Sequence, residues 1–567
     1  MSKGLILSKA LAHARATDTL PTLMNHGKTC ISVCAKTADE LIERIKRAED
    51  LADVIEIRFD CLNTNELDTA LQKVDEIRCS KSFLATFRPK DVNAEVVFAY
   101  GAFEDKEQKQ RIIESQNYRF SGWNKIIELE NTEFLDFEND ILLSLFISDS
   151  FGHSNHNSGF PFSIETCKKI KSKKIIASEH FFENIPSDLN EVYDNLKTEE
   201  SDDLTTEVIK IAAQTTDITD TIPIWKLLER AKSENQQIIP IAMGESGKWT
   251  RILGLAHGAF MTYAALDTGQ ETAPGQVSAR DLTEVYRAKN LNKETEVYGI
   301  LGSNTRVSMS PYIHNAAFKH HNLNAVFVPL QVHDLDEFIK RMVKPETREV
   351  ELNFKGFSVT IPHKQTIIKH LDFLDETAKN IGAVNTVKIV DGKLHGYNTD
   401  AQGFIEPLLN SYGDLRGAKV AVIGAGGAAR ACVYALKSQG ARVTIFARDI
   451  AKAKNSAEEF EVELKELSTT NFSDFDVLVN TTPLGMKAKA EGETPATAEQ
   501  LKGLHLVYDL VYIPFQTQLM NEADIAEIPK IGGLAMLIAQ AMEQQKIWTG
   551  LDAPIKEMSR AALRKLM

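Results

Sequence analysis

Short apolar runs rich in Val, Ile, Phe and Thr recur along the first half of the chain, and segments with the apolar spacing of helices separate them. ADELIERIKRAEDLA and IPIWKLLERAKSENQ are two of these helical segments. Alternating strands and helices over roughly 250 residues predict an α/β fold with a (β/α)8 TIM barrel. The eight predicted strands are CISVCA (30–35), DVIEIRFD (53–60), SFLATFRP (82–89), KIIELE (125–130), KIIASEH (174–180), EVIKIAA (207–213), IIPIAMG (238–244) and FMTYAAL (260–266).

Polar side chains fall towards the carboxyl ends of the predicted strands, which is where barrel enzymes have their active sites. Lys210 is the least expected of them, because it interrupts an apolar run and a buried, unpaired ammonium costs several kcal/mol. Taken alone, Lys210 is also consistent with a structural ion pair to Glu56 or Glu128, and His180 with a buried structural histidine. The polar set comprises Glu56, Arg58, Arg88, Glu128, His180 and Lys210.

Lys210 and His180 lie on neighbouring predicted strands, and together they suit carbonyl chemistry. Desolvation lowers the affinity of a lysine for its proton, and a neutral amine attacks a ketone to form a Schiff base. The iminium acidifies the adjacent C–H, and a histidine with an ordinary pKa of ~6.5 is suited to removing that proton. Arg251, just past another strand end, suits a carboxylate, and ETAPGQ (271–276) suits a loop that closes over substrate.

Residues 28–285 resemble type I 3-dehydroquinate dehydratase through EIRFD, TFR, S-x-H at 178–180, VIKIA, MG…G…R and APGQ. The resemblance implies that Lys210 forms a Schiff base with 3-dehydroquinate. It also implies that His180 removes the C2 proton and protonates the departing hydroxyl, so that 3-dehydroshikimate forms. The chain has Val92 where the family has an acid that supports the histidine, and Glu95 or another acid is the expected substitute. The implied substrate-binding residues are Glu56, Arg58, Arg88, Arg251, Thr272 and Gln276.

The second half begins after a charged segment, LTEVYRAKNLNKETE (282–296), which predicts a short helix and a linker. Strand and helix patterns then alternate from VYGILG (297–302), and GAKVAVIGAGGAAR (417–430) predicts a strand, a glycine turn and a helix start. We expect four segments: the barrel over 28–285, a substrate lobe over 296–405, a Rossmann lobe over 406–530, and C-terminal helices over 531–567 that return to the substrate lobe.

The glycine turn fits the G-x-G-x-x-A fingerprint of dinucleotide-binding proteins, with Gly424, Gly426 and Ala429. Backbone amides of such a turn meet a pyrophosphate at a helix N-terminus. The next predicted strand ends at Arg448, which favours the 2′-phosphate of NADP, because an acid there would bind the ribose hydroxyls of NAD. NAD is the alternative cofactor, because the next residue, Asp449, is an acid.

A lysine and an aspartate in the second half suit proton transfer during hydride addition. Lys364 ends SVTIPHK (358–364) and Asp400 lies in GYNTDAQGF (396–404), although each alone is also typical of a surface ion pair. A lysine hydrogen-bonded to a carboxylate can protonate an alkoxide. With VSMSP, GAVNT, NTTPLGM and AMLIAQ, these motifs resemble shikimate dehydrogenase over about residues 296–567.

This second resemblance implies that Lys364 and Asp400 are catalytic. Ser358 replaces an asparagine of free-standing bacterial members and resembles the fused plant-type proteins, so that it is expected to alter contacts to the cyclohexene ring or to admit a quinate-like substrate. The implied substrate-binding residues are Ser308, Ser310, Thr360, Asn385, Tyr512 and Gln540. The implied NADP(H)-binding residues are Gly424, Ala425, Gly426, Gly427, Ala428, Arg448, Thr481, Met486 and Gly533.

Composition and charge limit the kinds of partner and the cellular compartment that we expect for this protein. A net charge of −14 argues against a nucleic-acid partner, and no apolar run reaches the ~18 residues needed to span a bilayer. The N-terminus lacks a secretory apolar core but is mildly basic, so we expect a cytoplasmic protein, with organelle import as the alternative. No metal and no obligate protein partner are expected. No paired framework is apparent among the six cysteines, which predicts reduced thiols: Cys30, Cys34, Cys61, Cys79, Cys167 and Cys432.

The two implied reactions are consecutive, because the product of the first is the substrate of the second. We therefore expect a bifunctional shikimate-pathway enzyme that forms 3-dehydroshikimate and reduces it to shikimate with NADPH. One alternative is an NAD-linked quinate dehydrogenase in the second half. Another is a catalytically silent quinate-sensing regulator, which the presence of Lys210, His180, Lys364 and Asp400 disfavours.

Overall fold

The computed structural model describes residues 26–88, 117–139, 141–142, 162, 164–197, 206–467, 471–487 and 489–566. The chain divides into two compact units, with the boundary between Thr295 and Glu296. In the described ranges, none of the helices combines the length and the apolar character needed to cross a bilayer. The four segment limits given above stay predictions.

A curled parallel sheet forms the first unit. β1 lies between β2 and β8, and the remaining strands follow in chain order up to β7. A backbone hydrogen bond of 2.9 Å from N of Phe260, just before β8, to O of Ile238 in β7 links the last two strands, so the eight-stranded barrel predicted from the sequence is confirmed. The strands are β1 (Lys28–Val33), β2 (Val54–Arg58), β3 (Ser82–Thr86), β4 (Thr132–Glu138), β5 (Lys174–Phe181), β6 (Val208–Gln214), β7 (Gln237–Met243), β8 (Met261–Ala265) and β9 (Val277–Ser278).

Helices follow most of these strands, and each buries one apolar face. The first begins where the Thr37 side chain accepts a hydrogen bond from Glu40 N, and it buries Leu41 and Ile45. Its acidic first turn and basic last turn complement the helix dipole. The helices are α1 (Ala38–Glu49), α2 (Leu67–Glu76), α3 (117–126), α4 (Ile164–Ile170), α5 (Leu189–Leu196), α6 (Thr221–Ser233) and α7 (Lys248–His257).

One predicted strand is wrong. KIIELE (125–130) forms the end of α3 and the turn after it, and the fourth strand is TEFLDFE, which is β4. Ile126 and Ile127 are buried as a helix terminus, and a short apolar run cannot by itself distinguish a buried helix from a strand. Glu128 is exposed and pairs with Lys169, so it does not belong to the polar set at the strand ends.

The prediction of six reduced thiols is also wrong. Cys34 and Cys61 form a disulfide, with their Cα atoms 5.5 Å apart. They follow the paired strands β1 and β2, which bring the two segments together although 27 residues separate them in sequence. Cys30, Cys79 and Cys432 are free thiols.

The second unit contains two six-stranded sheets. The first has the order β11-β10-β12-β14-β15-β13, and the second has the order β18-β17-β16-β19-β20-β21. All strand pairs in the second sheet are parallel, as in a Rossmann lobe. The strands are β10 (Glu296–Gly302), β11 (Ala325–Gln331), β12 (Phe354–Val359), β13 (Phe373–Leu374), β14 (Thr386–Val390), β15 (Lys393–Tyr397), β16 (Lys419–Ile423), β17 (Arg442–Ala447), β18 (Glu463–Glu466), β19 (Val477–Asn480), β20 (Leu506–Asp509) and β21 (Lys530–Gly532).

Helices of the second unit pack on both sheets. Met309 and Ile313 form one apolar cluster with Ile538 and Met558, so the C-terminal helices pack against α8. The helices are α8 (Ser310–His320), α9 (Leu335–Phe338), α10 (His363–Thr366), α11 (Glu376–Ile381), α12 (Asp400–Tyr412), α13 (Gly427–Ser438), α14 (Ile450–Glu459), α15 (Ala498–Leu501), α16 (Gln518–Ile525), α17 (Gly533–Thr549) and α18 (Ile555–Leu566).

Candidate active sites

A cavity of about 210 Å³ lies at the carboxyl ends of the strands of the first unit. All eight site residues proposed from the sequence in this half contribute to its lining: Glu56, Arg58, Arg88, His180, Lys210, Arg251, Thr272 and Gln276. An apolar layer of inward-facing side chains, including Cys30 and Phe134, fills the barrel interior. The cavity therefore has a closed apolar floor and a charged wall.

Lys210 is buried and forms an ion pair in this cavity. Its Nζ lies 2.6 Å from Oδ2 of Asp136 and 4.4 Å from the ring centroid of Tyr263. The partner of the lysine is thus Asp136 on β4, and not Glu56 or Glu128 as the ion-pair alternative supposed. The structure places an amine, a carboxylate and an aromatic face together.

His180 lies within a network of cations. Nη1 of Arg88 lies 3.3 Å from Nδ1 of His180, and Oε1 of Glu138 lies 3.7 Å from the same nitrogen. Burial lowers the pKa of His180 well below its ordinary value, and the charges of Arg88, Lys210 and Arg58 lower it further. A neutral imidazole is the form that can accept a proton.

Two acidic residues of the cavity wall have defined partners. Glu56 accepts hydrogen bonds from Ser32 Oγ and, at 2.9 Å, from Thr86 Oγ1. Asp60 binds Arg58 through two contacts, of 2.9 Å from Nε and 2.7 Å from Nη2. These contacts fix the side chain of Glu56 within β2 and that of Asp60 just after it.

Arg251 has unused donors. It is 3 % exposed, and its Nε and Nη1 are buried with no hydrogen-bond partner among the described residues. Burial lowers its pKa to about 10, because no carboxylate compensates its charge. Its Nη2 donates to the Pro274 carbonyl at 3.2 Å. The site therefore contains an unsatisfied cation that suits an anionic ligand group.

The segment ETAPGQ (271–276) packs closely against the loop after β7. Gly275 has a φ of +75°, and a Cβ there would lie 2.1 Å from the Gly244 carbonyl oxygen. Gln276 accepts a hydrogen bond of 2.8 Å from Thr272 N. The turn therefore requires glycine, and it brings Thr272 and Gln276 to the cavity.

In the second unit, Lys364 forms a partly buried pair with Asp400. Nζ of Lys364 lies 2.5 Å from Oδ2 of Asp400, and Nδ2 of Asn385 donates to Oδ1 at 2.7 Å. Thr399 N donates to Oδ1 of Asn385 at 2.8 Å, which fixes the orientation of the amide. The Nδ2 of Asn385 also lies 3.5 Å from Oε1 of Gln540. Four of the predicted residues are thus brought together.

The other predicted substrate residues lie on separate elements of the second unit. Ser308 Oγ accepts a hydrogen bond of 3.2 Å from Ser310 N at the start of α8. Thr360 follows β12 and donates from its backbone to Leu301 O at 2.9 Å. Tyr512 packs on the apolar cluster that contains Met309, and burial raises its pKa.

The dinucleotide turn has the predicted strand–turn–helix arrangement. Gly424 follows β16 with a φ of +110°, and a Cβ there would lie 2.5 Å from Thr481 Oγ1. No described atom lies within 4 Å of the position that a Cβ on Gly426 would take, so the backbone of the turn is open to a ligand. A Cβ on Gly427 would lie 3.6 Å from Cδ of Lys364, so the turn adjoins the lysine pair.

The remaining predicted cofactor residues lie on several elements of the second unit. Ala425 lies within it, and Ala428 lies in the first turn of α13. Met486 N donates to Pro483 O at 3.0 Å, and Gly533 begins α17, where a Cβ would lie 2.2 Å from Leu510 O. Arg448 is exposed after β17.

Comparison with known proteins covers both units. Family models match as type I 3-dehydroquinase over residues 29–293 and as the shikimate dehydrogenase substrate-binding domain over 300–387. Two more match as shikimate/quinate 5-dehydrogenase over 408–500 and as the shikimate 5′-dehydrogenase C-terminal domain over 533–563. The chloroplastic bifunctional 3-dehydroquinate dehydratase/shikimate dehydrogenase of Arabidopsis thaliana is 33% identical over 94% of this chain and 83% of that protein.

The chain belongs to the family of bifunctional 3-dehydroquinate dehydratase/shikimate dehydrogenases. The shikimate dehydrogenase (NADP(+)) of Caldanaerobacter subterraneus is 39% identical over 46% of this chain and 94% of its own length. A crystal structure of Thermus thermophilus shikimate 5-dehydrogenase with NADP(H) and shikimate is 32% identical, with a TM-score of 0.42, and covers 47% of this chain and 98% of that one.

The one departure from the dehydratase motif that the sequence showed is Val92 in place of an acid. Val92 and its expected substitute Glu95 both lie outside the described residues. In the described part, Glu138 is the carboxylate within 4 Å of the His180 ring nitrogen. Glu138 and Asp136 were missed by the sequence reasoning because KIIELE was taken for the fourth strand. The signal that could have found them is the end of TEFLDFE, where Asp136 and Glu138 stand two positions apart and so share one face of a strand.

Further polar residues of both sites were also missed. In the barrel they are Ser32, Asp60 and Tyr263, and in the second unit Thr399 and Gln544. Ser358 Oγ donates to Oε1 of Gln544 at 2.8 Å, so its hydroxyl is used within the protein. Within the described ranges, no group of three or more His, Cys, Asp or Glu side chains could hold a metal ion.

Proposed function

We propose that the first unit dehydrates 3-dehydroquinate to 3-dehydroshikimate through a Schiff base on Lys210, and that the second unit reduces 3-dehydroshikimate to shikimate with NADPH. The observation that carries the proposal is the buried amine of Lys210, 2.6 Å from Asp136 and in one cavity with His180 and Arg251. Membership of the bifunctional family supports the same pair of reactions.

Schiff-base formation requires Lys210 to lose a proton before its nitrogen attacks the ketone. Asp136 contacts that nitrogen and is the acceptor in place for the proton. The attack forms a C–N bond, and the former carbonyl oxygen leaves as water. The iminium then withdraws electrons from the adjacent carbon, whose proton becomes removable.

His180 accepts the proton from this carbon in the proposed reaction. Its Nδ1 faces Arg88 and Glu138, so Nε2 is the nitrogen left for the substrate. The same nitrogen then returns a proton to the departing hydroxyl, and hydrolysis of the iminium releases product and restores the amine. The lowered pKa of His180 keeps the imidazole neutral before the reaction.

Arg251 supplies the carboxylate contact. Two of its guanidinium nitrogens lack partners among the described residues, and a guanidinium binds a carboxylate through two parallel hydrogen bonds. An unpaired buried cation is costly, so the free enzyme gains by binding an anionic ligand at this position. The unpaired guanidinium of Arg251 is therefore suited to the carboxylate of 3-dehydroquinate.

NADPH supplies a hydride when bound in the second unit, and the open backbone at Gly426 beside the start of α13 fits its pyrophosphate. In this site, Lys364 donates a proton to the oxygen of the ketone as that oxygen gains charge. Asp400 holds the lysine, and Asn385 orients Asp400. Ser308, Ser310, Thr360, Tyr512 and Gln540 would bind the substrate, and Thr481, Met486 and Gly533 would adjoin the cofactor.

Preference for NADP over NAD is supported by the end of β17. Asp449 caps α14 by accepting a hydrogen bond from Lys452 N, and its carboxylate lies 3.2 Å from Nζ of Lys452. It is therefore engaged and less available for ribose hydroxyls. Arg448 and Lys452 provide two exposed cations for a 2′-phosphate.

If these reactions are correct, the protein binds two small-molecule substrates, 3-dehydroquinate and 3-dehydroshikimate.

The compartment that we propose is the cytoplasm, and organelle import is the alternative. The N-terminal segment 1–25 lies outside the described residues. Fusion of residues 1–27 to a fluorescent protein tests this: diffuse fluorescence supports the cytoplasm, and an organelle pattern contradicts it.

A coupled assay tests the proposed function. Purified protein is mixed with 3-dehydroquinate and NADPH, and cofactor oxidation is followed by absorbance. Lys210→Ala should stop this signal but still reduce added 3-dehydroshikimate, whereas Lys174→Ala, an exposed lysine on β5, should keep both. Loss of both activities in Lys210→Ala would contradict the separation of the two sites. Parallel assays with NAD and quinate distinguish the quinate dehydrogenase alternative.

A further inference from the structure

An arginine outside the cavity wall is fixed to the carboxylate that faces His180. Arg119 on α3 is 5 % exposed. Its Nη2 lies 2.6 Å from Oε2 of Glu138, and its Nε donates to the Phe87 carbonyl at 3.2 Å. Arg119 therefore joins the end of β3 to the end of β4, and it binds the oxygen of Glu138 that His180 does not face.

The other oxygen of Glu138 is shared between a cation and the histidine. Oε1 lies 2.5 Å from Nη1 of Arg88 and 3.7 Å from Nδ1 of His180. An arginine nitrogen only donates, so Nδ1 of His180 is unprotonated while it faces Arg88. In that tautomer the proton is on Nε2, which cannot then accept a proton from a substrate.

Base catalysis through Nε2 needs the other tautomer, with the proton on Nδ1 and an acceptor beside it. Glu138 Oε1 is the described acceptor within reach. It can take this role when Arg88 turns to a substrate, provided that Glu138 stays ionised and in place. Arg119, bound to Oε2 of Glu138, meets both conditions: its charge favours the ionised carboxylate, and its hydrogen bond holds the side chain in place.

We propose that Arg119 is a positioning residue for the dehydration: it holds Glu138 so that Oε1 accepts the Nδ1 proton of His180 and Nε2 becomes the base. The inference rests on the proposed function of the first unit. The charged groups that face His180 in the described structure are Arg58 from β2, Arg88 after β3, Glu138 from β4 and Lys210 from β6.

Arg119→Gln keeps a hydrogen-bond donor for Oε2 of Glu138 but removes the positive charge beside it. Glu138 then acts more strongly on the imidazolium, so His180 should titrate at higher pH, while the neutral amide holds the carboxylate less firmly for catalysis. For Arg119→Gln we expect the kcat of dehydration to fall about 10-fold, with its acid limb raised by about one pH unit and KM nearly unchanged. Arg119→Lys should restore part of the kcat and part of the wild-type position of the acid limb. Reduction of added 3-dehydroshikimate, measured in the same preparation, reports folding of the second unit, and denaturant unfolding of the variant reports folding of the barrel.

The titration of His180 is measured separately from turnover. Diethyl pyrocarbonate modifies neutral imidazole, and peptide mass spectrometry gives the rate at His180 as a function of pH. A raised midpoint in Arg119→Gln supports the proposal, whereas Arg230→Gln, which breaks pairs to Asp194 and Glu234 outside the cavity, should leave it unmoved.

An unmoved midpoint and pH profile in Arg119→Gln, with lost stability alone, would overturn the proposal and leave Arg119 a structural residue. If the wild-type chain does not dehydrate 3-dehydroquinate, the proposed function fails instead. In that case the His180 midpoint still decides whether Arg119 controls the titration of His180 through Glu138, because its measurement needs no turnover.

Discussion

Oδ2 of Asp136 lies 2.6 Å from Nζ of Lys210, and both side chains are buried in the barrel. The same oxygen accepts a hydrogen bond of 2.8 Å from Nη2 of Arg88. Burial alone would raise the pKa of Asp136, but Arg88 and Lys210 outweigh it and lower the pKa below its ordinary value. One ionised carboxylate thus holds two cations, and the amine is released only when this pair breaks.

Asp136→Asn should lower the kcat of dehydration by about 10²-fold or more, because Lys210 loses its proton acceptor. Two buried cations would lose a partner, so we also expect the free energy of unfolding to fall by about 3–5 kcal/mol. Product absorbance and denaturant unfolding measure the two effects. Glu133→Gln, at the start of the same strand, is the control, and wild-type turnover in Asp136→Asn would refute the role.

Sequence reasoning located Lys210 and His180 because each is a polar exception in a largely apolar strand. It did not locate Asp136, Glu138 or Arg119, since their strand and helix were assigned to the wrong residues. Contacts between separate segments are also beyond a single-sequence pattern. The disulfide of Cys34 and Cys61 depends on the pairing of β1 with β2, which no spacing of cysteines reveals.

Asp400→Asn should lower the rate of 3-dehydroshikimate reduction by about 10²–10⁴-fold, because Lys364 loses the carboxylate that holds it. Dehydration of 3-dehydroquinate should be unchanged, which makes the first unit the internal control for folding. Both rates are measured on one preparation. A parallel fall in the two activities would show a loss of folded protein and not of proton transfer.

In the second unit, the sequence was enough to predict the lysine–aspartate pair but not the side chains that support it. Lys364, Asp400 and Asn385 each belong to a short motif, and the structure brings them together. Gln544 escaped notice because it is one of several glutamines on α17. Its contacts to Ser358 and Thr386 come from elements far away in sequence.

Arg448→Ser should raise the KM for NADPH by about 10–100-fold and leave that for NADH nearly unchanged. A charged hydrogen bond to the 2′-phosphate contributes about 1.5–3 kcal/mol, and NADH lacks that group. Steady-state kinetics with both cofactors provide the measurement. Arg442→Ser, at the exposed start of the same strand, should change neither value, and an equal effect of Arg448→Ser on both cofactors would rule out phosphate recognition.

His314 should make the second unit less stable in acid. Burial lowers its pKa to about 3, whereas the unfolded chain has the ordinary value of ~6.5. Between these values the unfolded state binds more protons, so the free energy of unfolding falls as pH decreases, by up to about 1.4 kcal/mol per pH unit. The buried ring also bonds Oε1 of Gln544 at 3.1 Å in its neutral form.

Heat inactivation of the dehydrogenase at pH 7 and pH 5 measures this effect. His314→Gln should lower the inactivation temperature at pH 7 but reduce the difference between the two pH values. His321→Gln, a partly exposed histidine after α8, should retain the wild-type difference. An equal pH difference in His314→Gln and the wild type would assign the acid sensitivity to other groups.

Covalent capture tests the central claim most directly. The full chain is incubated with 3-dehydroquinate and reduced with borohydride, and its peptides are analysed by mass spectrometry. The account predicts a reduced adduct on Lys210, none in Lys210→Ala, and full dehydrogenase activity after the treatment. A chain that consumes 3-dehydroquinate without an adduct at Lys210, or with the adduct on another lysine, would contradict it.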